Sequence, residues 1–234
     1  MTDNLLFIDT EASGLPKKWN VPYSKVNNWP FSLQISWLIY KRNGMLVKKE
    51  DHYISDNDFE IAPAAQQIHG ITQEFLNQQG EPRQKVLQLL SQDMQLYQPM
   101  LIGHFMELDF HVISADFFRS GVENSIVNSP LFCTMLATKN LIRHPQNKYL
   151  RLGDLYQFLF NQPLLHQHNA LIDATATADC FFALLKNGEI NDEYISKQQS
   201  LKNHDQPINR FIGWVVVLLI LLLLIILLTY RGTT

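Results

Sequence analysis

Five side chains could do chemistry together: Asp9, Glu11, Asp109, His168 and Asp173. Four carboxylates and one imidazole suit hydrolysis of a phosphodiester with two divalent cations. The carboxylates supply oxygen ligands for hard cations, and histidine supplies a base with an ordinary pKa near ~6.5. The first pair lies in Leu5-Leu6-Phe7-Ile8-Asp9-Thr10-Glu11, an apolar run halted at Ala12-Ser13-Gly14, which reads as a buried strand. Alternate side chains of a strand share a face, so Asp9 and Glu11 project together from its end. Two carboxylates leaving a core strand side by side are costly without compensation, and divalent metal is the natural compensation. The spacing alone is weak, since an Asp-x-Glu arises on the order of once by chance in a chain this long.

The elements that must position these groups follow from local pattern. Residues 31–40 and 45–54 read as strands joined at Arg42-Asn43-Gly44, where Asn-Gly favours a hairpin. Short helices are expected at 64–69 and 73–79, and a longer one at 83–97. Met100-Leu101-Ile102-Gly103 reads as a brief buried strand leading into a helix at 109–119. Asp109 would then sit in a first turn facing a strand end, although the helix dipole alone explains an acid there. Further helices are expected at 134–140, 152–160 and 169–185, the last ended by Asn187-Gly188. With Asn169 as its cap, His168 falls in the preceding loop and Asp173 one turn inside, while His166 reads as a surface residue. A loop histidine can swing toward a metal-bound water while a helical aspartate stays on the metal. Three strands first, then helices alternating with one further strand, favour an α/β fold with a mixed sheet flanked by helices.

The chain has 234 residues, room for one ordinary domain and an appendage. Residues 211–229 contain no charged side chain. As a helix they would span about 29 Å, close to the hydrocarbon thickness of a bilayer, with Trp214 and Tyr230 near the two interfaces. The reading is therefore a domain at 1–188, a polar linker at 189–210, one C-terminal transmembrane helix at 211–230 and a short tail at 231–234. Lys197, Lys202 and Arg210 precede the span and Arg231 follows it, which puts the domain on the cytoplasmic side of a single-pass membrane anchor. Met1-Thr2-Asp3-Asn4 is not basic, so no signal peptide is expected. Cys133 and Cys180 are too far apart for a zinc motif and read as small buried hydrophobes. Residues 1–210 hold 18 Lys and Arg against 22 Asp and Glu, a net charge of −4. No global basic field draws in nucleic acid, so any such contact must rest on local basic residues and bound metal.

Three segments together resemble the motifs of the DEDDh 3′–5′ exonucleases, the family of the epsilon proofreading subunit of bacterial DNA polymerase III. They are Phe7-Ile8-Asp9-Thr10-Glu11-Ala12-Ser13-Gly14, the stretch from His104 to Asp109, and His168-Asn169-Ala170-Leu171-Ile172-Asp173-Ala174. Ile68-His69-Gly70-Ile71-Thr72 resembles a further family segment, and the similarity covers roughly residues 4–186 in family order. The resemblance implies a ribonuclease H-like fold and release of nucleoside 5′-monophosphates from the 3′ ends of single-stranded DNA or RNA. It implies that Asp9, Glu11, Asp109 and Asp173 hold two Mg²⁺ or Mn²⁺ ions, with His168 as general base. It also implies that Ala12 and Ser13 approach the terminal nucleotide through backbone amides and that His69 lines the same site.

The chain departs from the family pattern in places. Phe105 stands where the second motif usually carries Asn, Glu107 lies close to Asp109, and the 14–30 segment is long. That segment holds Lys17, Lys18, Trp19, Tyr23, Lys25 and Trp29, which either contact bases and phosphates or pack the loop onto the core. The alternatives to catalysis are a catalytically silent nucleic-acid-binding protein and a membrane scaffold that organises partners. Binding of divalent metal separates them, since a scaffold has no reason to gather four carboxylates. A homodimer is left open, without a Gly-x-x-x-Gly pattern in the apolar run to support it.

Overall fold

The computed structural model describes residues 2–141 and 149–204. The expected membrane span at 211–230 lies outside the described residues, among which no helix is long and apolar enough to cross a membrane.

The first apolar run forms β1 (Asn4–Ala12). It pairs antiparallel with β2 (Ser32–Lys41), which pairs antiparallel with β3 (Leu46–Tyr53). The hairpin expected at Asn43-Gly44 is present, as a three-residue loop. Gly44 takes φ 87° and donates to the Lys41 carbonyl at 2.9 Å, the glycine conformation that closes such loops. On the other side of β1, strand β4 (Met100–Gly103) runs parallel, followed by β5 (Leu131–Cys133), giving the order β3-β2-β1-β4-β5. The three-residue β5 was not anticipated, because so short a run carries no periodicity to detect.

Helices α1 (Pro63–His69), α2 (Gln73–Gln79) and α3 (Arg83–Tyr97) connect β3 to β4. Then come α4 (Met106–Ser120), α5 (Thr134–Ala137), α6 (Leu152–Phe160) and α7 (Ala170–Lys186). Alternation along β1 sends Leu6 and Ile8 into one core with Trp37, Leu87, Leu90, Ile113 and Phe117 of β2, α3 and α4. Phe7 points the other way, edge-on to Phe181 of α7 at 5.4 Å. The sheet is thus mixed and covered by helices on both faces, the architecture expected from the sequence. Cys133 and Cys180 are both buried.

Helix α4 begins three residues earlier than the 109–119 expected, after Phe105 at φ 69°. The chain enters a second compact unit at Glu193, whose described part is helical: α8 runs from Asp192 to His204. The stretch read as a polar linker at 189–210 is therefore helical from Asp192 to His204. Its sparse apolar content removes a packing signal, but Glu, Lys and Gln are good helix formers on their own.

Candidate active site

The carboxyl ends of β1 and β4 lie side by side, since Leu5 pairs with Met100 and Phe7 with Ile102. Open α/β sheets place their sites in the crevice outside such strand ends. At that edge the register of β1 against β2 shifts between Glu11 and Ala12, an irregularity that re-aims side chains. The two strand ends approach closely. A side chain at Gly103 would meet Met106 Sδ at 2.8 Å and the Ile8 carbonyl oxygen at 3.3 Å.

Helix α4 brings Asp109 to this edge, nearly buried, where its Oδ1 accepts from the Thr10 amide at 3.0 Å and the Thr10 hydroxyl at 2.8 Å. Thr10 stands between Asp9 and Glu11, so one carboxylate from helix α4 is pinned to the strand that carries two others. Helix α7 supplies the fourth. Asn169 caps it as expected, accepting from the Ile172 amide. Asp173 Oδ2 accepts from the His168 amide at 3.0 Å, while its Oδ1 is buried and has no hydrogen-bond partner. His168 is exposed on the loop, at φ 65°. Ligand atoms of Glu11, His168 and Asp173 all lie within 4.8 Å of one another.

The electrostatics of the cluster are those of uncompensated charge. Burial pushes the Asp9 carboxyl well above its usual range, and Asp109, Asp173 and Glu11 push it further. Glu11 is raised to about 8, first by burial and then by Asp173 and Asp109. Asp109 is raised to about 7 by burial, against the pull of its Thr10 hydrogen bonds. Burial also raises Asp173, opposed by the His168 amide and imidazole. Among the described residues, no lysine or arginine enters any of these balances. Oxygen donors from three elements, an orphaned buried carboxylate oxygen and, among the described residues, no compensating lysine or arginine fit hard divalent metal.

The remaining sequence candidates divide. His69, the last residue of α1, accepts from the Ile71 amide through Nδ1 at 3.0 Å, which leaves Nε2 as a buried nitrogen without a partner. Burial lowers its pKa, with the Ala12 backbone opposing and His168 adding to the effect, so all three share one region. Ser13 is engaged within the fold. Its amide donates to the Phe31 carbonyl at 2.8 Å and its hydroxyl accepts from the Phe31 amide at 3.0 Å, so both groups close the base of the 14–30 loop. His166 is exposed in the loop, as expected.

Two further residues support the cluster. Gln34, cross-strand from Glu11, is fully buried; its carbonyl accepts from the Ala170 amide at 3.1 Å and its amide donates to Asp51 at 2.8 Å. It fixes the start of α7 beside Glu11. Polar residues alternating along β2 (Ser32, Gln34, Ser36) look like a solvent-facing side, but all three are buried. His104 bridges the Thr134 hydroxyl at 3.0 Å and the Leu150 carbonyl at 3.1 Å, and burial takes its pKa down to about 4, which suits a neutral structural brace.

Comparison with known proteins accords with this geometry. No curated protein sequence matches the chain. Among solved structures, the chain resembles exonuclease I, in a structure described as suggesting how processivity is achieved, at 16% identity and TM-score 0.65. That match covers 79% of this chain and 41% of that one. It resembles Escherichia coli exonuclease I bound to a dT13 oligonucleotide at 17% identity and TM-score 0.64, over 79% of this chain and 41% of that one. A zinc-bound complex of the same enzyme with single-stranded DNA matches at 14% identity and TM-score 0.64, over 85% and 43%. The chain thus spans well under half the length of these proteins, and the likeness establishes a shared ribonuclease H-like exonuclease fold. The Exonuclease family model (RNase_T) matches residues 6–181, from the strand that carries Asp9 and Glu11 through the helix that carries Asp173, and the chain belongs to that exonuclease family.

Proposed function

We propose that the chain is a metal-dependent 3′–5′ exonuclease releasing nucleoside 5′-monophosphates from single-stranded DNA, with RNA as the alternative substrate. One observation carries the reading: buried carboxylates gather at one sheet edge without a lysine or arginine among the described residues, and an exposed histidine lies within 4.8 Å of two of them. The oligonucleotides held by the exonuclease I structures favour DNA.

Asp9, Glu11, Asp109 and Asp173 would hold two Mg²⁺ or Mn²⁺ ions. When bound, such ions stabilise charge on phosphoryl and leaving-group oxygens and acidify water. His168, on a solvent-exposed loop, takes the proton from the attacking water. The hydrogen bond that the His168 amide donates to Asp173 keeps that base beside the fixed carboxylate. Thr10 holds Asp109 in place, and Gln34 holds the start of α7. His69 can donate through Nε2 to an oxygen of the bound nucleotide. The apolar run at 211–230 tethers the domain to a bilayer, with the domain on the cytoplasmic side; this part rests on hydropathy and flanking charge.

The test is hydrolysis of end-labelled single-stranded DNA and RNA by the full chain in detergent. With Mg²⁺, a 5′-labelled strand should shorten as a ladder while a 3′-labelled one releases labelled mononucleotide at once. EDTA should stop both. Shortening from the 5′ end, or cleavage that persists in EDTA, contradicts the proposal. For the tether, the full chain should stay with membranes through alkaline carbonate extraction, and release into the supernatant contradicts it.

A further inference from the structure

The loop between β1 and β2 poses a separate question. From residue 12 to residue 49 the sequence has no Asp or Glu, although the chain is net acidic. Within this stretch Lys17, Lys18 and Lys25 are all exposed, and none has an ion-pair partner among the described residues. The loop's aromatics face inward. Trp29 is buried and stacks on His111 of α4 at 4.8 Å, and the Tyr23 hydroxyl lies 2.9 Å from His111 Nδ1. Trp19 packs against Phe105, the residue before α4, at 5.9 Å. Those rings are occupied by one another and by α4, so they pin the loop down and leave base stacking to other groups.

The backbone is fixed as well. Lys17 and Lys18 donate their amides to the carbonyl and side-chain oxygens of Asn28 at 3.1 and 3.0 Å, and Asn28 Nδ2 returns a bond to the Lys18 carbonyl at 2.8 Å. The three lysines line one depression of about 490 Å³. The loop leaves β1 just past Glu11 and rests on the same end of α4 that carries Asp109. Three exposed cations therefore stand on a braced loop that leaves the strand carrying Asp9 and Glu11, a cluster that would otherwise repel a polyanion.

We propose that Lys17, Lys18 and Lys25 form a phosphate-binding rail for single-stranded nucleic acid, holding the nucleotides on the 5′ side of the terminal one. This rests on the exonuclease reading for its direction, but its contacts are to phosphates and independent of base and sugar. The arrangement gives grip on length without sequence preference.

The experiment compares the full chain with two variants, Lys17→Ala/Lys18→Ala/Lys25→Ala and a control, Lys49→Ala/Lys85→Ala/Lys186→Ala, which removes the same charge elsewhere. Alanine keeps the backbone bonds to Asn28, so both variants should melt as the wild type does. Binding of a labelled 20-mer dT oligonucleotide is followed in EDTA across NaCl concentrations. Three phosphate contacts at about 0.7 each predict that the loop variant loses about 2 from the slope of log K against log [NaCl], while the control keeps the slope. With Mg²⁺, kcat/KM should fall far more on the 20-mer than on a dinucleotide. Equal losses in both variants would mean bulk charge and overturn the rail. So would a loop variant that binds the 20-mer normally and loses only anionic phosphatidylserine vesicles. A wild type that binds the 20-mer with this salt dependence yet hydrolyses nothing would overturn the exonuclease reading and leave the rail standing.

Discussion

Helix α4 buries two aspartates two turns apart, and the protein treats them in opposite ways. Asp116 is inaccessible to solvent and surrounded by compensation. It accepts from the Ser32 amide at 3.0 Å, pairs with Arg119, and has Arg83 Nε at 3.7 Å. Arg83 in turn holds Asp58 and lies over the Phe31 ring. Burial raises the Asp116 carboxyl, and two guanidinium groups pull it back. Asp109 is nearly as buried, yet its partners are the neutral amide and hydroxyl of Thr10, and its charged neighbours are carboxylates. The fold can supply a cation where structure requires one. Its omission at the sheet edge, among the described residues, marks that place as one where the cation comes from solution.

Exchanging amide for acid at the two positions should separate the roles. Asp109→Asn keeps an oxygen for Thr10 and removes only charge. It should cost activity on the order of 10²–10³-fold or more while the metal-free protein melts at or above the wild-type temperature. His168→Ala should lower kcat by about 10²–10⁴-fold, again with the melt unchanged because the side chain is exposed. Labelled-strand hydrolysis beside a thermal melt reads both. Asp116→Asn should do the reverse. Removing the buried charge that faces Arg83 and the half-buried Arg119 should cost about 3–5 kcal/mol by denaturant unfolding, with kcat of the folded fraction near wild type. If Asp116→Asn silences the enzyme without unfolding it, the contrast drawn between the two ends of α4 is wrong. Gln34→Ala should fall between, at about 1–3 kcal/mol, since it strips the Ala170 amide of its acceptor. An accompanying loss of activity of about 10–100-fold is expected for a residue that positions metal ligands.

How much of this was legible in the sequence depends on whether a residue acts locally or across elements. β1, the capped start of α7 and the loop position of His168 follow from alternation and capping, and the structure has them. Gln34 and Thr10 could not be seen, because their value lies in contacts 136 and 99 residues away. The pairing of the Ser13 amide with Phe31 was hidden for a related reason, since it is set by the return of the 14–30 loop. Phe105 illustrates a third case. It sits at φ 69°, ψ 42°, where Asn is tolerated better than a bulky ring. The resemblance expects Asn there, and in this chain the position instead packs on Trp19. The helix at Asp192–His204 was missed because its polar composition gives no amphipathic signal.

The central claim is that the carboxylate cluster is compensated by divalent metal, and the melting temperature against pH tests it most directly. Folded-state values of about 8 for Glu11 and about 7 for Asp109 lie above those of free carboxyls. The folded protein thus holds protons at these two groups that the unfolded chain has released, so in EDTA their contribution to stability is greatest at low pH and is lost as pH rises through these values. Metal competes with those protons. Mg²⁺ should therefore raise the melting temperature, and by more at about pH 8.5 than at about pH 6, while in Asp109→Asn the gain should shrink at both. A wild type whose melting temperature ignores Mg²⁺, or gains more at low pH than at high, would contradict the account.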